Sequence, residues 1–137
     1  MVASASGRSF IRIAMIDGDV DLRTMWRRCF ARQAHLKVVG EANDCREVME
    51  LVGTVRPDVV LLDVDALHPE MNGLAAARVI RENTPETKII FMATDIASPE
   101  LHDGELADAY LSRGALPQEL ADTVEAIFEA GDAASVT

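Results

Sequence analysis

Acidic side chains follow two of the hydrophobic runs in this sequence, and a basic side chain follows a third. Asp17 and Asp19 come after the run "IRIAMI", Asp63 ends the run "VVLLD", and Asp65 follows two residues later. Arg113 comes after the short run "AYLS". Carboxylates from two adjacent strand ends can hold a hard cation such as Mg²⁺, which is satisfied by one or two protein carboxylates. Such a cation, with a basic group beside it, would neutralise a phosphoryl group that arrives at Asp63.

These side chains meet only if the hydrophobic runs are neighbouring strands of one sheet. Apolar runs alternate with segments of helical period from end to end, which is typical of a parallel sheet covered by helices. We therefore predict an α/β fold, a single doubly wound sheet of five βα units with helices on both faces. The predicted strands are residues 11–16, 36–42, 58–63, 88–94 and 109–112.

The first predicted helix has one apolar face, and its arginines take the other face. The apolar positions are Leu22, Met25, Trp26, Cys29 and Phe30. The second helix opens with Asp44 and Glu47 in capping-box spacing and stops before Pro57.

The remaining helices differ in strength. The third covers about residues 73–83, and the fourth starts at Ser98 but lasts only a turn or two because Gly104 follows. The last begins near Pro117 and ends at Gly131.

Length and charge limit the function classes. A chain of 137 residues with a net charge of −10 is one domain that repels phosphate backbones and anionic lipid. We therefore expect no nucleic-acid binding by this domain and no membrane binding, and a cytoplasmic location, since no secretory signal is recognisable. The expected organisation is a disordered segment at residues 1–9, a domain at residues 10–131 and a frayed tail at residues 132–137.

The cysteine and histidine residues lack the spacing of a metal or redox site. Cys29 and Cys45 lie on the apolar side of helical patterns, so we expect buried free thiols. His35, His68 and His102 are scattered along the chain, so we expect solvated side chains.

Other interpretations of the acidic residues stay open. Strand-end acids such as Asp19, Asp21 and Asp65 also serve as solvated helix caps. The stretch "LLDVDAL" looks like the strand end of haloacid-dehalogenase phosphatases, with Asp63 as nucleophile and Asp65 as general acid. A flavin or nucleotide carrier would need a glycine-rich or hydroxyl-rich loop after the first strand, and "DGDVDLR" is acidic.

The motifs "IRIAMIDGD", "RPDVVLLDVD" and "MNGLAAARVIRE" resemble the receiver domain of bacterial two-component response regulators. The resemblance covers about residues 10 to 131, and "VVGEANDCREVMELV" is similar to receivers attached to helix-turn-helix regulators. It implies a flavodoxin-like parallel sheet of five strands in the order 2-1-3-4-5.

The resemblance also implies roles for the acidic residues. Asp63 matches the phosphorylated aspartate, and Asp17 matches the first of two metal-binding acids. The second acid of that pair falls on Gly18, and Asp19 stands one place late. Mg²⁺ is therefore the expected cofactor, and its binding is expected to be weak.

The groups that contact the phosphoryl oxygens in the family also depart from the pattern. The hydroxyl residue falls on Ala93, with Thr94 displaced by one, and the lysine falls on Arg113. Tyr110 matches the aromatic residue that swings inward on activation. The loop "ALHPEMNG" is two residues longer than the usual loop of the family.

These matches predict a regulatory domain and not an enzyme. We expect a signal-transduction receiver that either accepts a phosphoryl group weakly at Asp63 or works without phosphate as a protein-interaction module. The family implies a histidine kinase or another signalling protein as partner, and a homodimer through the fourth helix, the fifth strand and the last helix. Asp63 itself is expected at a solvent-facing strand end.

Overall fold

A computed structural model of the chain describes residues 10–65 and 72–136, with side chains as far as residue 128. Five strands form one parallel sheet in the order β2-β1-β3-β4-β5. The predicted fold and strand order are therefore confirmed. The strands are β1 (Ile11–Ile16), β2 (Leu36–Ala42), β3 (Val59–Asp63), β4 (Lys88–Ala93) and β5 (Ala109–Ser112).

Helices connect the strands on both faces of the sheet. They are α1 (Val20–Ala31), α2 (Val48–Val55), α3 (Gly73–Asn83) and α4 (Pro117–Val136). A short 3₁₀ turn, Cys45–Glu47, precedes α2. The predicted short fourth helix is a 3₁₀ segment, Pro99–Glu105, which is kinked at Gly104 where φ is 79°.

The last helix is longer than the sequence pattern indicates. It continues to Val136, past the predicted end at Gly131. A glycine costs a helix about 1 kcal/mol but ends it only when a left-handed cap forms, and the alanines that follow favour helix. None of the helices within residues 10–65 and 72–136 combines the length and the hydropathy of a membrane span.

Two apolar layers hold the sheet between the helices. One layer packs α1 and α4 against the sheet, with side chains that include Ile13, Met15, Trp26, Phe30 and Val124. The other packs α2 and α3 against the opposite face, with side chains that include Ile16, Val52, Leu62, Ile80 and Phe91. Burial of each large apolar side chain contributes about 1.5–3 kcal/mol, so the two layers fix where the strand ends lie.

The prediction that the arginines of α1 face solvent is wrong for Arg23. Its side chain is buried, while Met25 of the predicted apolar face is 41% exposed. The guanidinium of Arg23 donates to the backbone carbonyl of Asp17 and pairs with Glu41 at 3.1 Å. A buried cation is tolerated there because both partners compensate its lost hydration.

Gly73 marks the closest approach of α3 to the residues that follow β3. A Cβ atom at Gly73 would lie 2.6 Å from the Cα of Val64. Because that neighbour is backbone, it cannot rotate away. Glycine is therefore required at the first residue of α3.

Gly73→Ala should lower the free energy of unfolding by about 1–3 kcal/mol, because the backbone must shift to admit the methyl group. Chemical denaturation followed by circular dichroism measures the change. Gly53→Ala in α2 is the matched control, since a Cβ there meets nothing within 4 Å. That control should gain up to about 1 kcal/mol from helix propensity. Equal stabilities for the two variants would contradict the close approach.

Candidate functional site

Asp17 and Asp63 lie side by side at the carboxyl edge of the sheet. Asp17 directly follows β1 and Asp63 ends β3, and these strands are paired so that Ile16 lies opposite Leu62. The two residues are buried, with exposures of 1% for Asp17 and 4% for Asp63. The expectation that Asp63 faces solvent is therefore wrong.

Arg113 brings the positive charge to this pair. Its Nη2 atom lies 2.9 Å from Oδ1 of Asp17 and 3.7 Å from Oδ2 of Asp63. The backbone N–H of Arg113 donates to the carbonyl oxygen of Ala93 at 3.0 Å, which anchors the residue at the sheet edge. The structure thus gathers the predicted acceptor, acid and cation into one cluster.

The surroundings of Asp63 disfavour its charged form. Burial raises the pKa of Asp63 from 3.8 to about 6, and the negative charge of Asp17 adds to the effect. The backbone N–H of Asp65 and the guanidinium of Arg113 oppose the rise. Cys45, which is fully buried, has a pKa raised to about 11 by its own burial and then by the charge of Asp63.

One carboxylate oxygen of Asp17 makes no hydrogen bond to any described residue. Its Oδ1 atom accepts from Arg113 and from the backbone N–H of Asp19 at 2.8 Å, while Oδ2 is buried and has no hydrogen-bond partner among the described residues. Unpaired buried carboxylate oxygens are costly, so this atom is the natural point for a cation to bind.

The carboxylate of Asp19 is engaged outside the cluster. Its carboxylate caps α1, where Oδ1 accepts from the backbone N–H groups of Asp21 and Leu22. Gly18 is exposed and contributes no side-chain oxygen. Within residues 10–65 and 72–136, no group of three or more metal-ligating side chains comes together.

Thr94 does not reach Asp63. Its backbone N–H and its hydroxyl both donate to Oδ2 of Asp65, at 2.7 and 2.9 Å. Ala93, the buried last residue of β4, offers no hydroxyl in its place. Asp65 in turn donates its backbone N–H to Oδ1 of Asp63 at 2.9 Å.

Tyr110 on β5 packs between two rings. It meets Phe91 edge-on, with centroids 5.8 Å apart, and lies against His102 with centroids 4.2 Å apart. These contacts place its ring beside the layer that packs α2 and α3. The ring of Tyr110 is therefore in contact with the 3₁₀ segment through His102.

Two features of the site escaped the sequence analysis. The first is Arg23, whose position three residues before Trp26 and seven before Phe30 already puts it on the buried face of α1. The second is the contact between Asp65 and Thr94, for which the sequence holds no periodic signal. The longer loop "ALHPEMNG" falls on residues 66–73, most of which lie outside the described residues.

The thiols and imidazoles have the following surroundings. Cys45 is buried as expected, whereas Cys29 is only half-buried. His35 is not simply solvated, because it contacts the carboxylate of Glu125 on α4. His68 lies outside the described residues.

Comparison with known proteins gives a consistent result. The family described as response regulator receiver domain matches residues 13–125. The transcriptional regulatory protein YxjL of Bacillus subtilis is 34% identical over 134 residues, which cover 92% of this chain and 61% of YxjL. Response regulator UvrY of Escherichia coli is 32% identical over 120 residues, which cover 86% of this chain and 54% of UvrY.

A solved structure is similar as well. The crystal structure of a LuxR-family two-component response regulator from Aurantimonas sp. matches with a TM-score of 0.78 and 30% identity, over 89% of this chain and 87% of that chain. The chain spans 61% and 54% of the lengths of YxjL and UvrY.

Asp63→Asn should stabilise the protein in a pH-dependent way. The pKa of Asp63 is about 6 in the folded protein and 3.8 ordinarily. Protonated Asp63 therefore contributes fully to the free energy of unfolding below pH 3.8, and this contribution is lost as the pH rises through 6. The variant should therefore match the unmodified protein near pH 4 and exceed it by about 1–3 kcal/mol above pH 7. Denaturant titrations across this range measure the difference.

Asp103→Asn is the control for that measurement, because Asp103 is an exposed acid on the 3₁₀ segment. Its effect should stay within about 0.5 kcal/mol at every pH. If Asp63→Asn instead loses stability at pH 7, the attraction between the charge of Asp63 and Arg113 outweighs the cost of burying that charge.

Proposed function

The chain belongs to the response regulator receiver domain family, and from this premise we propose that Asp63 is its phosphoryl acceptor and that it accepts the group only weakly. Receiver domains serve signal transduction and interact with histidine kinases. For this chain we propose a kinase or another signalling protein as partner. Where phosphorylation is too slow to matter, the domain acts as a phosphorylation-independent interaction module.

The observation that carries the proposal is the position of Arg113. Its guanidinium already lies 2.9 Å from Asp17 and 3.7 Å from Asp63. A guanidinium is a planar fork that matches carboxylates, whereas a lysine ammonium is a compact charge that moves easily to a new partner. A phosphoryl group at Asp63 must therefore compete with Asp17 for this cation.

Asp63 has the chemistry of an acceptor despite that competition. With a pKa of about 6, its carboxylate is mostly ionised at neutral pH. One carboxylate oxygen attacks the phosphorus of the donor, the bond between phosphorus and the donor breaks, and its electron pair leaves with the donor. The guanidinium of Arg113 lies within reach of the developing charge.

Receiver domains generally bind Mg²⁺ at the phosphorylation site, and the acids of this chain fit the ion only in part. Asp17, through its unpaired Oδ2, and Asp63 would hold it. When bound, Mg²⁺ supplies positive charge to the phosphoryl oxygens. We propose that binding is weak, because Gly18 offers no oxygen and Asp19 is committed to capping α1.

Output through other domains accords with the relatives. YxjL is a transcriptional regulatory protein, and receiver domains of transcriptional regulators are generally non-enzymatic. A net charge of −10 disfavours DNA binding here, so we propose that any DNA contact is made by another domain. Nothing favours the haloacid-dehalogenase interpretation, and Asp65 is held by Thr94 instead of lying free as a general acid.

A homodimer would use the face formed by the 3₁₀ segment Pro99–Glu105, β5 and α4. We propose this face because the family resemblance implies it. The 3₁₀ segment is short and kinked, so we expect such a dimer to be weak.

Incubation with Mg²⁺ and acetyl phosphate, followed by intact mass measurement, tests the acceptor assignment. We expect a small labelled fraction in the unmodified protein, none in Asp63→Asn and a several-fold larger fraction in Arg113→Lys, because lysine releases Asp17 more readily. Arg78→Lys on the exposed side of α3 is the control and should change nothing. Labelling retained in Asp63→Asn would refute Asp63 as the acceptor, and complete labelling of the unmodified protein would refute weak acceptance.

Gly18→Asp should tighten Mg²⁺ binding by roughly tenfold or more, because it adds a carboxylate to a site that has two. Gly18 lies outside the left-handed region, and a Cβ there meets only the carbonyl oxygen of Asn43 at 3.4 Å, so an aspartate fits. Calorimetric titration measures the affinity. Gly53→Asp on α2 changes the net charge equally and should leave the affinity unchanged. Tight binding by the unmodified protein would show that Asp19 leaves its cap to reach the ion.

A further inference from the structure

Asp65 connects the acceptor to the segment after β4. Its backbone N–H donates to Oδ1 of Asp63 at 2.9 Å, and its carboxylate accepts both the N–H and the hydroxyl of Thr94. Ala93, the last residue of β4, cannot form a side-chain hydrogen bond with Asp63, because it has no polar side chain. Asp65 is thus in contact with Asp63 through its backbone and with Thr94 through its side chain.

We propose that Asp65 is a positioning residue that relays a change in the charge of Asp63 to Thr94 and to the segment that follows it. The inference rests on the proposed function in one respect, that Asp63 is the residue whose state changes.

The physical basis is the strength of three charge-assisted hydrogen bonds, one to the carboxylate of Asp63 and two to the carboxylate of Asp65. A carboxylate oxygen of Asp63 is a strong acceptor for the N–H of Asp65, and that acceptor weakens when Asp63 loses its carboxylate charge by forming an acyl phosphate. The backbone of Asp65 is then free to move, and its carboxylate moves with it. Because Thr94 gives both of its donors to that carboxylate, Thr94 must follow or lose two bonds.

A chain of contacts connects Thr94 to the 3₁₀ segment and to Tyr110. Thr94 directly follows β4 and leads to Ile96, whose carbonyl oxygen contacts the ring of His102 at 2.9 Å. His102 lies against Tyr110. The relay therefore ends at the 3₁₀ segment and β5, the face on which we propose partner contacts.

A purely structural role for Asp65 makes a different prediction. If the bond to Thr94 only ties two loops together, neutralising Asp63 has no effect on Thr94. The relay instead predicts that the effect of Asp63 on Thr94 requires the carboxylate of Asp65. A double-mutant cycle separates these two cases.

The experiment measures amide hydrogen exchange at Thr94 by NMR in the unmodified protein, Asp63→Asn, Asp65→Asn and the double variant. Asp65→Asn should accelerate exchange at Thr94 by about tenfold, since it replaces the charged acceptor of the Thr94 N–H by a weaker, neutral amide oxygen. Asp63→Asn alone should accelerate exchange several-fold, and in the Asp65→Asn background it should add nothing. Asp65 and Thr94 are both exposed, so the variants are expected to fold.

Two controls keep the result specific. Asp95→Asn removes a neighbouring acid whose carboxylate accepts from Ala97 and not from Thr94, and it should leave exchange at Thr94 unchanged. The amide of Ile90 in the centre of the sheet reports global opening, so any change shared by Ile90 and Thr94 is subtracted.

The outcomes distinguish the relay from the proposed function. An Asp63→Asn effect at Thr94 that persists in the Asp65→Asn background, or no effect at all, overturns the relay whether or not acetyl phosphate labels Asp63. An effect that disappears in that background supports the relay even if no labelling occurs, in which case only the acceptor assignment fails.

Discussion

The pairing of two buried carboxylates with one guanidinium governs this molecule. Asp17 and Asp63 lie on neighbouring strands because β1 and β3 are adjacent in the sheet, and both are nearly inaccessible to water. Carboxylates in such a place lose their hydration and also repel one another, which is why the pKa of Asp63 rises to about 6. Arg113 reduces both costs, since it bonds to Asp17 and lies near Asp63.

Several features of the surrounding structure fix the positions of Asp17 and Asp63. The two apolar layers fix the strand ends, and Gly73 allows α3 to approach the residues after Asp63. The guanidinium of Arg23 donates to the carbonyl oxygen of Asp17 and also pairs with Glu41. A buried cation that bonds to the backbone of a site residue fixes the direction of that residue more firmly than solvent contacts would.

Most of the architecture was predictable because it depends on periodic burial. Hydrophobic runs and helical repeats placed all five strands to within about a residue at their ends, and the limits of α3 were correct. Prediction stopped where contacts depend on the course of loops. The buried Asp63 lies 3.7 Å from Arg113, which follows a different strand, and the bond between Asp65 and Thr94 joins two loop residues 29 positions apart. Neither leaves a local pattern in the sequence.

The displacement of one hydroxyl by a single residue illustrates why small changes matter at a strand end. Successive side chains of a strand point to opposite faces, so moving a hydroxyl from position 93 to position 94 changes its neighbours completely. At position 94 the strand has already ended, and the hydroxyl meets Asp65 instead of Asp63. Asp63 and Thr94 are thus connected only indirectly, because Asp65 bonds to both. The receiver fold is therefore kept here while the contact between Asp63 and the residues that follow β4 is made through Asp65.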